Sequence, residues 1–233
     1  MNINYILSVI RTDFFPRHCL LCRKICSDWL CVDCQSLWQP IVTPHCQTCA
    51  ARVAQNHRFC QRCARHSPAF DAFTAVYRYN APARTLVLQA KYAANRTALT
   101  YMGEMMATHL PPWQIDAIIP MPMSRWRYWQ RGFNQTHFLA AALGQRHHLP
   151  ILKTVLEKRH RVPQSTLTTT QQRQKNISGA FVAKQNISGR ILLVDDVMTS
   201  GATLSEAARC LKQAGADWVG ASVFAAVTRL SAK

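Results

Sequence analysis

The sequence predicts an α/β domain with a mostly parallel sheet flanked by helices, preceded by a small cysteine-rich module. Two observations lead to this prediction. After residue 70, short apolar runs alternate with helical patterns, which is typical of parallel α/β sheets. Nine of the ten cysteines lie before residue 64. We therefore expect two domains, a metal-binding module at residues 1–68 and the α/β domain at residues 69–233.

Eight of the cysteines form four CxxC pairs. The pairs are Cys19/Cys22, Cys31/Cys34, Cys46/Cys49 and Cys60/Cys63. A CxxC turn directs two sulfurs at one point, which is half of a tetrahedral zinc site. We predict two structural Zn²⁺ sites, because metal would supply the folding energy that so short a segment cannot obtain from burial. Sequential pairing closes shorter loops and is favoured over an interleaved arrangement.

Three other uses of these cysteines compete with two zinc sites. Structural disulfides need an oxidising compartment, and nothing in the sequence indicates export. A redox CxxC lies in a βαβ context and does not occur four times. A single mixed site with spare cysteines is the third alternative. Cys26 is left over, either as a bystander or as a substitute for Cys22.

The α/β domain follows from the hydrophobic pattern and its breakers. Strands are predicted at 73–79, 115–119, 151–156, 191–194 and 218–227, and helices at 84–94 and 98–110. Two further helices follow Asn134, a capping residue, and the loop that ends at Thr203. Residues 158–178 are polar and rich in Thr and Gln, so we expect a mobile loop there.

The most informative segment follows the apolar run at 191–194. Asp195 and Asp196 come directly after it, and a Thr-Ser-Gly loop then leads into the last predicted helix. Ligands of α/β sheets bind where parallel strands end, and a helix N-terminus offers free N–H groups to an anion. A solvated turn with a simple cap is the alternative, but strand, paired acids, hydroxyl loop and helix together favour a binding site.

The loop carries the donors that a phosphate needs. Glycine lets the backbone approach closely, and the serine and threonine hydroxyls donate hydrogen bonds. Two carboxylates repel a phosphate but accept hydrogen bonds from a vicinal diol, so the combination indicates a ribose 5-phosphate. The predicted phosphoribosyl-binding residues are Asp195, Asp196, Thr199, Ser200, Gly201, Ala202 and Thr203.

The chain is strongly basic, with a formal net charge of +17. Residues 71–190 carry sixteen Lys and Arg against four Asp and Glu, so the excess lies in the middle of the chain. Such a surface attracts polyanions, although a generic basic surface for solubility is the alternative. A hydrophobic content of 48% argues against global disorder. No stretch approaches the roughly 18 apolar residues of a membrane span, and we expect a cytoplasmic protein.

Cations and aromatic rings alternate at residues 125–133. Arg125, Arg127 and Arg131 are the predicted nucleic-acid-binding residues, interleaved with Trp126, Tyr128, Trp129 and Phe133. This chemistry stacks bases and follows phosphates along a single strand. Packing of the same rings against the polar loop or the zinc module is an equally open interpretation.

Residues 191–204 resemble the type I phosphoribosyltransferase fingerprint, and the chain as a whole resembles the ComF/GntX family of competence and DNA-utilisation proteins. Family-like segments are Lys91-Tyr92, Pro120-Met121-Pro122, residues 131–135, Pro163-Gln164, Arg173 with Asn176, and residues 179–181. Members of this family join a double zinc ribbon to a phosphoribosyltransferase domain. The resemblance therefore implies a type I phosphoribosyltransferase-like fold behind two ribbons.

The resemblance also implies roles for the site. Asp195 and Asp196 would hold the ribose hydroxyls, and residues 199–203 the 5-phosphate of phosphoribosyl pyrophosphate, which binds with Mg²⁺. The loop at 120–123 would lie near the pyrophosphate, and residues 158–178 would form a hood over the site. One departure is Ser200 where threonine is common, which preserves the hydroxyl.

The function that the resemblance implies is the handling of incoming single-stranded DNA during natural transformation. Two other hypotheses stay open. One is an active phosphoribosyltransferase, for which we identify no base pocket. The other is a nucleotide-sensing scaffold whose ribbons dock a partner. An ATP-driven DNA translocation protein is a possible partner in this setting.

Overall fold

The computed structural model describes residues 17–92, 95–159 and 179–228. In chain order its elements are α1 (Val32–Gln35), α2 (Gln61–Arg65), β1 (Ala72–Arg78), α3 (Ala81–Tyr92), α4 (Arg96–Thr108), β2 (Ala117–Pro120), α5 (Arg125–Arg131), α6 (Gln135–His147), β3 (Leu156–Lys158), β4 (Phe181–Ala183), β5 (Arg190–Met198), α7 (Ala202–Gln213) and β6 (Trp218–Ala226). None of these helices is long and apolar enough to cross a membrane.

Four parallel strands form the sheet in the order β1–β6–β5–β2. The two central strands are almost entirely buried, as continuous apolar runs in a parallel sheet require. Along β5, Leu192 and Val194 join the core under α4 and α6, while Ile191 and Leu193 join the core under α7. The predicted parallel α/β sheet with helices on its faces is confirmed.

Helix α7 follows its hydrophobic pattern closely. Its buried apolar positions are Leu204, Ala207, Ala208 and Leu211, which form one stripe at helical spacing. Asn134 caps α6 as predicted, because its side-chain oxygen accepts from the backbone N–H of Thr136. These two helices therefore fix the loops that precede them, at the edge where β5 and β2 end.

Two segments differ from the pattern-based assignment. Residues 125–131, for which no element is predicted, form α5, which Ser124 caps and Gly132 ends with φ of 74°. Residues 151–156 do not form the predicted strand. The N–H of Ile118 donates to the carbonyl of Pro150, and the N–H of Leu152 donates to the carbonyl of Ile118. The chain then turns away from β2 and forms β3, which pairs with β4 in an antiparallel ribbon. Residues 160–178 of the predicted hood lie outside the described part.

The segment between the two cysteine groups runs along the outer edge of β1. The N–H of Arg78 donates to the carbonyl of Gln39 (2.8 Å), and the N–H of Ile41 donates to the carbonyl of Val76 (3.0 Å). Trp38 then packs on Tyr77, with ring centroids 4.3 Å apart. The linker covers an edge that would otherwise leave backbone groups unpaired.

Candidate functional site

The eight paired cysteines form two groups of four sulfurs. One group is Cys19, Cys22, Cys31 and Cys34, and the other is Cys46, Cys49, Cys60 and Cys63. Within each group the Sγ atoms all lie within 4.8 Å of one another. The Sγ–Sγ distances of 3.6 Å (Cys22–Cys31) and 3.7 Å (Cys49–Cys60) match the ~3.8 Å that a tetrahedron with Zn–S of ~2.3 Å requires. The residues fit two zinc ions, held by sequential pairs.

Zinc requires thiolates, and the surroundings favour the thiolate at one cysteine of each group. Burial raises the pKa of Cys34 and Cys63, and the hydrogen bond with Cys46 raises that of Cys49. The hydrogen bond from Cys49 and the backbone N–H groups of Cys60 and Thr48 lower the pKa of Cys46 to about 4. Burial acts against ionisation of Cys19, but the backbone N–H groups of Cys22 and Cys31 lower its pKa to about 6. Cys26 lies outside both groups and donates to the carbonyl of Asp28 (3.1 Å), so Cys22 keeps its place as the ligand.

The paired acids at the end of β5 have different partners. Asp196 is buried, and its Oδ2 accepts from Lys91 Nζ (2.6 Å) and from Gln135 Nε2 (3.3 Å). A buried carboxylate needs such partners, since it would otherwise carry the full cost of desolvation. The Asp196 carboxylate therefore joins Lys91 at the end of α3 to Gln135 at the start of α6.

Asp195 points to the opposite side of the strand. Its Oδ1 accepts from the backbone N–H of Asp196 (2.9 Å). Burial, and next the negative charge of Asp196, raise the pKa of Asp195 to about 8. Burial and the charge of Arg127 lower the pKa of Lys158 at the end of β3, while Asp195 acts in the opposite direction. Lys158 and Asp195 are therefore close enough for their charges to interact.

The Thr-Ser-Gly loop lies directly beyond the acids, between β5 and α7. Thr199 and Ser200 are exposed, and Gly201 occupies the N-cap position with φ of 76°. A residue with a side chain is strained in that conformation. The N-cap glycine has no side chain to cap α7, and Ser200 Oγ accepts from the N–H of Ala202 (3.4 Å). Such a helix start favours an anion.

Two residues near the acids carry no role in the sequence-based site. Lys91 and Gln135 belong to family-like segments, yet their function becomes visible only through their bonds to Asp196. Gln135 also accepts from Arg131 Nη1 (3.5 Å) through its Oε1. The signal that points to them is indirect: a buried second acid after a central strand needs a cation and an amide from elsewhere in the chain.

Helix α5 presents its rings to solvent. Trp126, Tyr128 and Trp129 are 58%, 51% and 88% exposed. The guanidinium of Arg131 lies over the ring of Tyr92 (4.9 Å), and Phe138 packs edge-on against Phe133 (5.9 Å). Arg125 reaches Glu157 of β3 (3.7 Å). These exposed rings, together called the aromatic surface, are therefore not part of the core formed by the described residues. The aromatic surface consists of Tyr92, Trp126, Tyr128, Trp129 and Phe138.

Comparison with known proteins agrees with both parts of the molecule. Residues 12–66 match the double zinc ribbon domain, and residues 137–231 match the phosphoribosyl transferase domain. Competence protein F of Haemophilus influenzae is 30% identical over 224 residues, covering 88% of this chain and 95% of that protein. The chain belongs to the ComF/GntX family. Competence protein ComFC of Bacillus subtilis is 27% identical, covering 80% of this chain and 79% of that one.

Among solved structures, orotate phosphoribosyltransferase from Aeropyrum pernix is 19% identical to this ComF/GntX-family protein. The match has a TM-score of 0.35 and covers 60% of this chain and 62% of that one. Family membership and the four-sulfur geometry together account for the zinc ribbons and for the phosphoribosyltransferase-like sheet.

Proposed function

We propose that this protein handles single-stranded DNA during natural transformation, in the cytoplasm, and that its sheet edge binds phosphoribosyl pyrophosphate or a related sugar phosphate. Relatives named for competence and DNA utilization support a role in competence. The observation that carries the finer proposal is the neighbourhood of three features at one edge: Asp195, the loop at 199–203 and the aromatic surface. We also propose that the domains divide at residue 68.

In this proposal the sugar phosphate lies across the end of β5. Asp195 accepts hydrogen bonds from the two ribose hydroxyls, and residues 199–203 donate hydroxyl and N–H groups to the 5-phosphate. Asp196 positions the site through Lys91 and Gln135 and does not itself reach the ligand. Mg²⁺, bound with the pyrophosphate, would supply charge neutralisation near Asp195.

Calorimetry with phosphoribosyl pyrophosphate and Mg²⁺ tests this arrangement, comparing the parent with Asp195→Asn. At about pH 9, where the Asp195 carboxyl is ionised, we expect at least a tenfold loss of affinity, because an amide cannot accept both hydroxyl bonds as a carboxylate does. Asp33→Asn, at an exposed acid of the first zinc site, is the matched control and keeps full affinity. Replacing Asp196 as well would leave Lys91 without its anion, so the single variant is the cleaner test.

The pH dependence gives a second readout of the same residue. The pKa of Asp195 is raised in the folded protein, so the carboxyl is largely protonated below about pH 8. Hydroxyl donors favour the carboxylate, and the affinity of the parent should rise between about pH 7 and about pH 9. Asp195→Asn should show a flat profile over this range. A parent profile as flat as that of the variant contradicts the diol assignment.

For DNA, the proposal assigns stacking to the aromatic surface and phosphate contacts to Arg125, Arg127 and Arg131. We expect Trp126→Ala/Trp129→Ala to weaken binding of a single strand more than tenfold, since each stacked base contributes ~1–3 kcal/mol. Both rings are exposed, so stability should not change. Fluorescence anisotropy with an oligothymidylate measures the effect.

The salt dependence separates phosphate contacts from stacking. Arg125→Ala/Arg127→Ala should reduce the slope of log affinity against log salt by about 1.4, at ~0.7 for each single-strand phosphate. Arg84→Ala/Arg96→Ala removes two exposed arginines from α3 and α4 and serves as the control. An equal change of slope in both pairs would mean that net charge, and not α5, attracts the strand.

A further inference from the structure

A cavity of about 1000 Å³ lies between the second zinc site and the phosphate loop. One wall is residues 198–202 with the outer face of α7 at Ser205, Glu206 and Arg209. The opposite wall comes from residues 48–49, 51–54, 57, 59–63 and 66–68 around the second zinc site. The cavity is therefore an extension of the candidate site, made by a domain that a phosphoribosyltransferase fold alone does not supply.

The ribbon wall combines arginines and an aromatic ring with the thiolates of Cys49, Cys60 and Cys63, whose four-cysteine zinc site would carry a net charge of about −2. Its side chains include Arg52, Arg62, His57, His66 and Phe59. Phe59 is a partly exposed ring at this wall. Rings beside arginines favour nucleobases joined to phosphates, because every base has a face for stacking and every linkage carries a negative charge.

The charges on the loop wall do not oppose an anion. Among the described residues that line the cavity, the single acid is Glu206, which accepts from both the guanidinium of Arg209 and the backbone N–H of Gly179. Its negative charge is thus matched within the wall. Thr199, Ser200 and the start of α7, whose N-cap is a glycine, offer donors, so one end of the cavity is suited to a phosphate.

The contacts that hold the ribbon wall in place also lie beside the cavity. The N–H of Ala69 donates to Ser205 Oγ (2.9 Å), directly between the two walls. Asp71 accepts from Lys212 (2.6 Å) and from the N–H of Val219 (2.7 Å). The ribbon is thereby fixed against α7 and β6, and the spacing between the walls is part of the fold.

We propose that this cavity takes the 5′-phosphorylated end of a DNA single strand, with the terminal phosphate on the loop and the next nucleotides along the ribbon wall. The inference rests on the proposed function and specifies the polarity of the strand. The volume is at the upper end of the ~300–1,000 Å³ typical of small-ligand pockets, more than one sugar phosphate fills. A strand end and phosphoribosyl pyrophosphate would then compete for one loop.

The test compares two oligothymidylates that differ in one group, a 5′-phosphate or a 5′-hydroxyl, each labelled at the 3′ end. Anisotropy should show about tenfold tighter binding of the 5′-phosphorylated strand. Phosphoribosyl pyrophosphate with Mg²⁺ should remove that preference while leaving the 5′-hydroxyl strand unaffected. Thymidine 5′-monophosphate should compete poorly, because it lacks the nucleotides that contact the ribbon.

Two pairs of variants locate the contacts. Ser200→Asp, which places a negative charge in the loop, should abolish the preference, while Ser200→Ala largely keeps it. Arg62→Ala should weaken binding of the 5′-phosphorylated strand about fivefold and leave the other strand unchanged. Arg65→Ala lies on the same short helix but not on the cavity, and should have no effect. Zinc content checks that both arginine variants keep the ribbon folded.

The outcomes separate this inference from the proposed function. Equal binding of the two strands, or competition by thymidine 5′-monophosphate as strong as by the oligomer, overturns the end-binding cavity and leaves single-strand binding in place. Failure of both strands to bind removes the proposed function and this inference together. Identical behaviour of Arg62→Ala and Arg65→Ala overturns the role of the ribbon wall.

Discussion

The two zinc sites have the same ligand chemistry and different surroundings. In each, the third cysteine is the N-cap of a short helix with nearly the same φ, −70° at Cys31 before α1 and −73° at Cys60 before α2. The first site adds Leu20, Leu30 and Trp38 to the core beneath α3 and α4. The second site has a small cluster of its own, made of Cys46, Ala51 and Cys63, and adds Ala50 and partly buried Cys49 to the core under α7.

The different surroundings indicate that the two ribbons, although similar in sequence, have different structural roles. Metal at the first site holds side chains that are part of the main core, so it supports the whole α/β domain. Gln89 of α3 strengthens this connection by donating to the carbonyl of Leu20 (3.0 Å). Metal at the second site would hold the wall opposite the Thr-Ser-Gly loop. The first ribbon is therefore part of the main core, and the second lies beside the loop that we propose binds a phosphate.

Removing one ligand from each site is the strongest way to break the comparison. Cys31→Ser and Cys60→Ser should each lower the zinc content from two to one per chain, measured by elemental analysis. We expect Cys31→Ser to destabilise the α/β domain by about 5 kcal/mol or more, because structural zinc contributes ~10 kcal/mol to its module and this module is part of the core. Cys60→Ser should leave the main unfolding transition within a few degrees of the parent.

Differential scanning calorimetry distinguishes the two variants. In Cys60→Ser only the second ribbon should unfold separately, at low temperature, while in Cys31→Ser the main transition itself should shift. Equal losses in the two variants would show that both ribbons are integral to one cooperative unit. A zinc content near zero in the parent would remove the metal sites altogether.

Trp38 sharpens the comparison without touching a ligand. Its ring contacts Tyr77, Tyr101 and Phe224 at centroid distances of 4.3, 6.1 and 5.8 Å. Trp38→Ala should cost about 3–5 kcal/mol in urea unfolding, as large-to-small changes in cores do. Phe59→Ala in the second ribbon should cost less than about 1 kcal/mol, because the ring is already 45% exposed.

Trp38→Phe isolates one contribution to that cost. The indole Nε1 is buried and has no hydrogen-bond partner among the described residues. Phenylalanine removes this unsatisfied donor and keeps most of the ring packing, so the variant should lie within about 1.5 kcal/mol of the parent. A loss as large as that of alanine would mean that the indole donor is satisfied in solution.

Local sequence signals account for the parts that were predicted well. The run at 191–194, the loop after it and the stripe of α7 are contiguous in sequence, and each element follows from its own periodicity. Sequential cysteine pairing follows from loop closure in the same way. Contacts within a short stretch can be predicted from the sequence, because the residues that form the hydrophobic pattern are the same residues that make the contacts.

Long-range contacts account for what was not predicted. Asp195 and Asp196 are equivalent in the sequence, and only the cation from α3 and the amide from α6 make them different. Phe138 follows the apolar pattern of α6 yet is 41% exposed. Its ring packs edge-on against Phe133 beside α5. The docking of the ribbons is equally non-local. The domain boundary at residue 68 stays a prediction.

The junction at Asp71 offers the smallest change that still tests the comparison. Its carboxylate joins the segment after the second ribbon to Lys212 of α7 and to the N–H of Val219. Asp71→Ala should cost about 1–2 kcal/mol, since two hydrogen bonds involving a charged group are lost at a partly exposed site. Lys212→Met should cost less than about 1 kcal/mol, because the Val219 bond remains. In Asp71→Ala, a chelator should remove zinc faster from the second site and at an unchanged rate from the first. Faster release from both sites would mean that this junction supports the whole module and that the two ribbons are not independent.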